Sequence, residues 1–143
     1  MSFERNESGS SLERSMLQAI LDGDGKSYSD YLSALPSDRA FQTLGVATSA
    51  AVFRKWPDDP SLQAVVDYVE EVRKRYPEEL PVAQTVIESV IRGIFGETDL
   101  LDGTPGEEIL IAEVLLIRSI GFDVLVSTEQ RNAYFAEVLE AVD

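Results

Sequence analysis

The chain contains no histidine and no cysteine, and it sets only 12 Lys plus Arg against 26 Asp plus Glu. Histidine and cysteine supply most soft-metal ligands, most proton shuttles at neutral pH and every thiol nucleophile, so several large enzyme classes are excluded at once. The missing cysteine also removes any disulfide framework and fits a reducing compartment. No apolar run approaches the length of a membrane span, and the opening MSFERNESGSS carries acid in place of an apolar secretory core. A cytoplasmic location without membrane contact is therefore expected. Basic surface is scarce too. The net charge of −14 argues against nucleic acid and anionic membranes as partners. The single basic run, Arg73, Lys74 and Arg75, is offset by Glu70, Glu71, Glu78 and Glu79.

What is present is a chain of 143 residues that is 44% hydrophobic, which suits one domain with a single core. Residues 1–9 read as a flexible tail and residues 10–143 as the domain. Helix signals recur throughout, and strand signals are nearly absent. Ser10 and Glu13 have the spacing of a capping box, opening a helix to about residue 21 that Gly23 stops. A short helix is expected over 27–35, ended by Pro36, and Ser37 opens a longer one to 55. Asp59 and Pro60 read as the cap and first turn of a helix reaching 75. The next begins between Pro77 and Pro81 and reaches Phe95, with Gly96 placed to end it.

Residues 96–106 form the one long loop, rich in glycine and acid. Thr104, Pro105 and Glu107 predict a helix to about 120, with Gly121 as its terminator. The apolar stretch 122–126 reads as a packed connector, since a lone strand has no partner. Ser127 or Thr128, with Gln130 behind, opens the last helix, which runs to about 142. The expected architecture is all-α: a compact single-domain bundle of six or seven helices.

Apolar periodicity divides these helices. The segment from Leu62 places Val65, Val66, Val69 and Val72 on one side and Asp67, Glu71 and Lys74 opposite, the pattern of a surface helix. The segment from Val82 behaves in the same way. By contrast, residues 44–53 carry no charge, and the helix after Pro105 is apolar nearly all round. Helices near 38–55 and 105–120 are therefore expected at the centre of the bundle or at an oligomer interface.

The chemical motifs are few. Asp22 and Asp24 resemble the start of a calcium loop, but the glycine and glutamate spacing that such a loop needs does not follow. The pairs Asp67/Glu70 and Glu137/Glu140 have metal-ligand spacing on a helix, yet both lie opposite an apolar stripe, where water is the natural neighbour. The loop acids Asp99 and Asp102, with Glu97, Glu107 and Glu108, are the better place for a hard cation or a basic partner. No metal site and no cofactor is predicted, and no nucleophile has a base at a supporting spacing. Three charged residues break the apolar pattern. Glu113 falls on an arc made of Ile109, Leu116, Ile117 and Ile120, Arg131 on a face with Tyr134, Phe135 and Leu139, and Arg73 beside Leu62 and Val66. A buried carboxylate needs a cation, so Glu113 is expected to pair with Arg131, or failing that with Arg73.

From residue 82 onward there are twelve acidic and three basic residues, a local charge of −9. The leading expectation is a non-enzymatic acidic helical module that binds another protein with a basic surface, or a second copy of itself. The second is a small-ligand-binding or metal-dependent helical enzyme with a pocket near Glu113 and Arg131. A third, weaker one is an acidic mimic of nucleic acid. A large apolar surface patch favours the first, and an enclosed pocket holding Glu113 favours the second.

Overall fold

Two stretches poor in charge along their middle turns make the centre of the bundle, because they offer apolar side chains around most of the helix and need neighbours on several sides. In the computed structural model, which describes residues 2–77 and 82–143, these are α3 (Ser37–Lys55) and α6 (Gly106–Val124), packed on one another as the central pair. Around them lie α1 (Ser2–Asp22), α2 (Gly25–Ala34), α4 (Leu62–Arg75), α5 (Gln84–Ile94) and α7 (Thr128–Val142). The connection before α6 holds one 3-10 turn, Thr98–Leu101. Seven helices and no strand among the described residues make this the all-α bundle that the periodicity predicts.

α7 lies along α3, and the Tyr134 hydroxyl donates to the Ala47 carbonyl at 2.7 Å, so the buried phenol has its partner. α4 and α5 pack on each other and on α6, whereas α1 runs beside α2, α6 and α7. The core gathers Met16, Leu17, Leu44, Ile87, Leu116, Phe135 and their neighbours into one cluster. Each such side chain contributes about 2 kcal/mol by leaving water.

The helix ends show where local signals governed and where packing overrode them. Gly23 ends α1 as expected: at φ 72° it takes the left-handed conformation, its N–H bonds the Ile20 carbonyl, and the Asp24 N–H bonds that of Ala19. Ser127 and Gln130 form the predicted capping box on α7. α1, however, does not begin at Ser10, because its backbone is helical from Ser2. α4 opens at Leu62 with Ser61 as its cap, accepting from the Ala64 N–H, in place of Asp59 and Pro60. Thr104 caps nothing, since α6 starts at Gly106 behind Pro105.

Gly121 does not terminate α6, which continues to Val124. The physical reason is contact with α1. A Cβ on Gly121 would lie 2.3 Å from Leu21 Cδ2, so the glycine gives α1 the space to approach. No helix among the described residues is long and apolar enough to cross a membrane.

Candidate interaction groove and an isolated carboxylate

α2 is ten residues long and fully buries none of them, because it packs chiefly on α1 and leaves its other side open. The glycine turn at Gly23 separates α2 from α1, and Asp24 fixes the start of α2 by accepting from the Ser27 N–H at 3.1 Å. That hydrogen bonding with Ser27 holds the Asp24 carboxyl below its ordinary value. Between α2 and the N-terminal half of α6 runs a groove of about 610 Å³. Ala19 and Ile20 of α1 form its floor, Tyr28 and Leu32 one wall, and Leu110, Ile111 and Val114 the other. Ile109, Leu110, Ile111 and Val114 are only half-buried, so this half of α6 is apolar without being covered. Asp24 and Glu107 stand on the rim, both exposed.

Arg118 closes one end of the groove. Its guanidinium lies against Gly23 and over the Tyr76 ring, 4.5 Å from the centroid. Beyond it is a second hollow of about 400 Å³, bordered by Leu21, Arg75 and Phe122. Phe122 is 71% exposed and carries the Arg75 guanidinium 5.3 Å from its ring centre.

Glu113 lies beside this groove, and its surroundings differ from those expected. It is half-buried between helices, with its Oε2 3.9 Å from where a Cβ on Gly45 would stand. Among the described residues no hydrogen bond or ion pair reaches it. Arg131 is elsewhere: its Nη1 pairs with Asp22 at 3.1 Å and its Nε donates to the Leu125 carbonyl. Arg73 is exposed and donates to Gln84 at 2.8 Å. The expected Glu113–Arg131 pair is therefore corrected, as is the alternative with Arg73. α7 meets the bundle through α3 and α1, and Arg131 is spent at the α1 end. With desolvation and no cation, the Glu113 carboxyl is pushed up to about 7. Its charge in turn adds to burial in raising the Tyr28 hydroxyl.

Asp99 and Asp102 are exposed on and beside the 3-10 turn. Among the described residues no three carboxylates gather as a metal would need. Glu97 is turned back onto Arg92 in two bonds of 2.7 Å, and that contact lowers its carboxyl.

Two polar clusters escaped the sequence reading. Glu13, 2% exposed, accepts from Arg39 Nε at 3.1 Å, and Arg39 also reaches the Val142 carbonyl and Asp143. Among the described residues the truly buried carboxylate is thus Glu13, whose signal was masked by its capping-box spacing. The second cluster joins α4 to α6. The Tyr68 hydroxyl bonds Ser119 at 2.7 Å and Asp123 at 3.1 Å, and Arg75 binds both Ser119 and Asp123. Burial pushes Asp123 upward, but the hydrogen bonds from Arg75 and Tyr68 outweigh it and leave the carboxyl below its ordinary value. Ser119 is fully buried, so the cluster joins two helices and presents no nucleophile. Tyr68 and Arg75 stand two turns apart, and Ser119 and Asp123 one turn, so each half was visible in spacing while the match between them was not.

No protein family, curated protein or solved structure matches the chain.

Proposed function

We propose that this chain is a non-enzymatic interaction module of the cytoplasm that docks an amphipathic, basic helix of a partner protein in the groove between α2 and α6. The observation that carries the reading is the uncovered apolar wall Leu110, Ile111 and Val114, facing Tyr28 and Leu32 across a trough floored by α1. A helix laid in such a trough buries its own apolar stripe against one on each side. Charge selects the occupant. The rim acids Asp24 and Glu107, on a chain of net charge −14, favour a helix whose outer edges carry Lys and Arg. Glu113 and Arg131 stand apart, so the alternative of an enzyme pocket built on both has no geometric support.

The test is capture of partners from the native host by the wild type, by Ile111→Glu in the wall and by Glu107→Lys on the exposed rim, with Val126→Glu as a control outside the groove. A partner retained by the control and lost by both groove variants, and binding a synthetic copy of its basic helix, supports the reading. Equal capture by all four proteins overturns it. Sedimentation of the purified chain reads the other occupant, and a dimer broken by Ile111→Glu would replace the foreign partner with a second copy.

A further inference from the structure

α3 is a central helix of the bundle, yet one of its faces reaches solvent and carries no charge. Residues 40–53 contain neither acid nor base in a chain that is 27% charged. The inward half of that stretch needs none, because Ala40, Leu44, Ala47, Ala51 and Val52 are buried against other helices. Burial does not explain the outward half. Phe41 and Phe53 are 50% and 47% exposed, and Gly45 and Ser49 stand half-buried between them. A helix face turned to water ordinarily carries charged and polar groups. Beside this one lies a hollow of about 680 Å³, bounded by Val46 and Ala50 of α3 and by Glu137 and Ala141 of α7. It shares no residue with the groove between α2 and α6.

The order of the four outward residues points to the occupant. Phe41, Gly45, Ser49 and Phe53 are spaced by four, so they form one ridge on the helix, inclined to its axis by about 26°. Large residues end the ridge and small ones form its middle, and that order of sizes reads the same in either direction. Two such ridges laid antiparallel about a two-fold axis set Phe41 against Phe53 at each end, while Gly45 against Ser49 lets the backbones approach closely between them. The crossing this needs, about −50°, is the commonest between helices in globular proteins. The ends also agree in charge. Asp38 is exposed in the first turn of α3, and Arg54, held by Glu137 at 2.6 Å, stands in the last turn at the edge of the hollow. Reversal therefore brings acid to base at both ends. A foreign helix has no reason to match a palindromic ridge, whereas a two-fold interface requires one. We propose that the outward face of α3 is a homodimer interface, in which two copies of this chain pack antiparallel with Phe41 of each against Phe53 of the other. Apolar contact supplies the affinity, and the end charges fix the register.

Sedimentation equilibrium of the purified full chain over a concentration series tests the interface. The wild type should show a monomer–dimer equilibrium, Phe41→Glu should weaken it by at least about tenfold, and Ile111→Glu should leave it unchanged. A chain that is monomeric at every concentration overturns the proposal, as does a dimer that Phe41→Glu leaves intact or that Ile111→Glu breaks. Disulfide trapping reads the register and stands independent of how Phe41→Glu folds. The chain has no cysteine, so introduced thiols report without background. Phe41→Cys and Phe53→Cys chains, mixed and oxidised with diamide, should give the linked heterodimer faster than either linked homodimer, because antiparallel packing brings only the unlike positions within reach of a disulfide. Each such heterodimer keeps one Phe41–Phe53 contact intact. Faster trapping of either homodimer overturns the proposal, since parallel packing would give that result. Neither experiment uses a foreign partner, so a failed dimer and a failed docking reading are told apart.

Discussion

Replacing Arg39 with alanine tests whether the buried charge of this fold is held by a single cation. Glu13 is 2% exposed, its Oε1 accepts from Arg39 Nε at 3.1 Å, and its Oε2 is buried with no hydrogen-bond partner. The hydrogen bond to Glu13 is also the largest influence raising the Arg39 pKa, followed by the one to Asp143. Removing one partner of a buried pair leaves an uncompensated charge, at a cost of about 3–5 kcal/mol. The contact of Arg39 with Asp143 adds little, because Asp143 is more than half exposed. Urea denaturation at pH 7 should therefore show Arg39→Ala about 4 kcal/mol less stable, with a melting point lower by roughly 10 °C. Glu13→Met combined with Arg39→Ala removes the stranded charge and should lie within about 2 kcal/mol of the wild type. An Arg39→Ala loss below about 1 kcal/mol, or a double variant no more stable than the single one, would refute the reasoning.

Gly121→Val should destabilise the chain by about 1–3 kcal/mol in thermal unfolding, because a Cβ there falls 2.3 Å from Leu21 Cδ2 and the added branch has no space. Gly93→Ala in α5 meets nothing within 4 Å and should stabilise by roughly 0.5–1 kcal/mol through helix propensity alone. The pH dependence of stability should carry the sign of Glu113. Its carboxyl sits at about 7 folded against 4.5 ordinarily, so its contribution is full below about pH 4.5 and is lost as pH rises through 7. The total is roughly 3 kcal/mol, and denaturation midpoints of Glu113→Gln should be nearly flat over that window. Asp24, Glu97 and Asp123 are shifted downward and act oppositely, their stabilisation disappearing only as pH falls below the ordinary carboxylate range.

Much of the architecture was legible along the chain, because helix periodicity and capping are local. The apolar faces of α4 and α5, the charge-free stretch in α3, the left-handed Gly23 and the Ser127–Gln130 cap each depend on residues within a few positions of one another. The absence of histidine and cysteine also acquires a sharper meaning. The remaining side-chain types ordinarily titrate below 5 or above 10, so a group acting near neutrality has to be a displaced one, and Glu113 is such a group. Tertiary structure decided everything that depends on which helix lies beside which. Gly121 looks like a terminator until α1 is seen against it, and Glu13 looks like a capping residue until Arg39 arrives from α3. Glu113 and Arg131 both break apolar faces, yet a helical wheel gives the direction of a side chain without naming its neighbour. Partner choice between helices is a long-range property of how the whole bundle fills space. That is why the sequence alone indicates the helical character and the available chemistry, whereas the fold alone decides that Arg131 meets Asp22 and that, among the described residues, no cation pairs with Glu113.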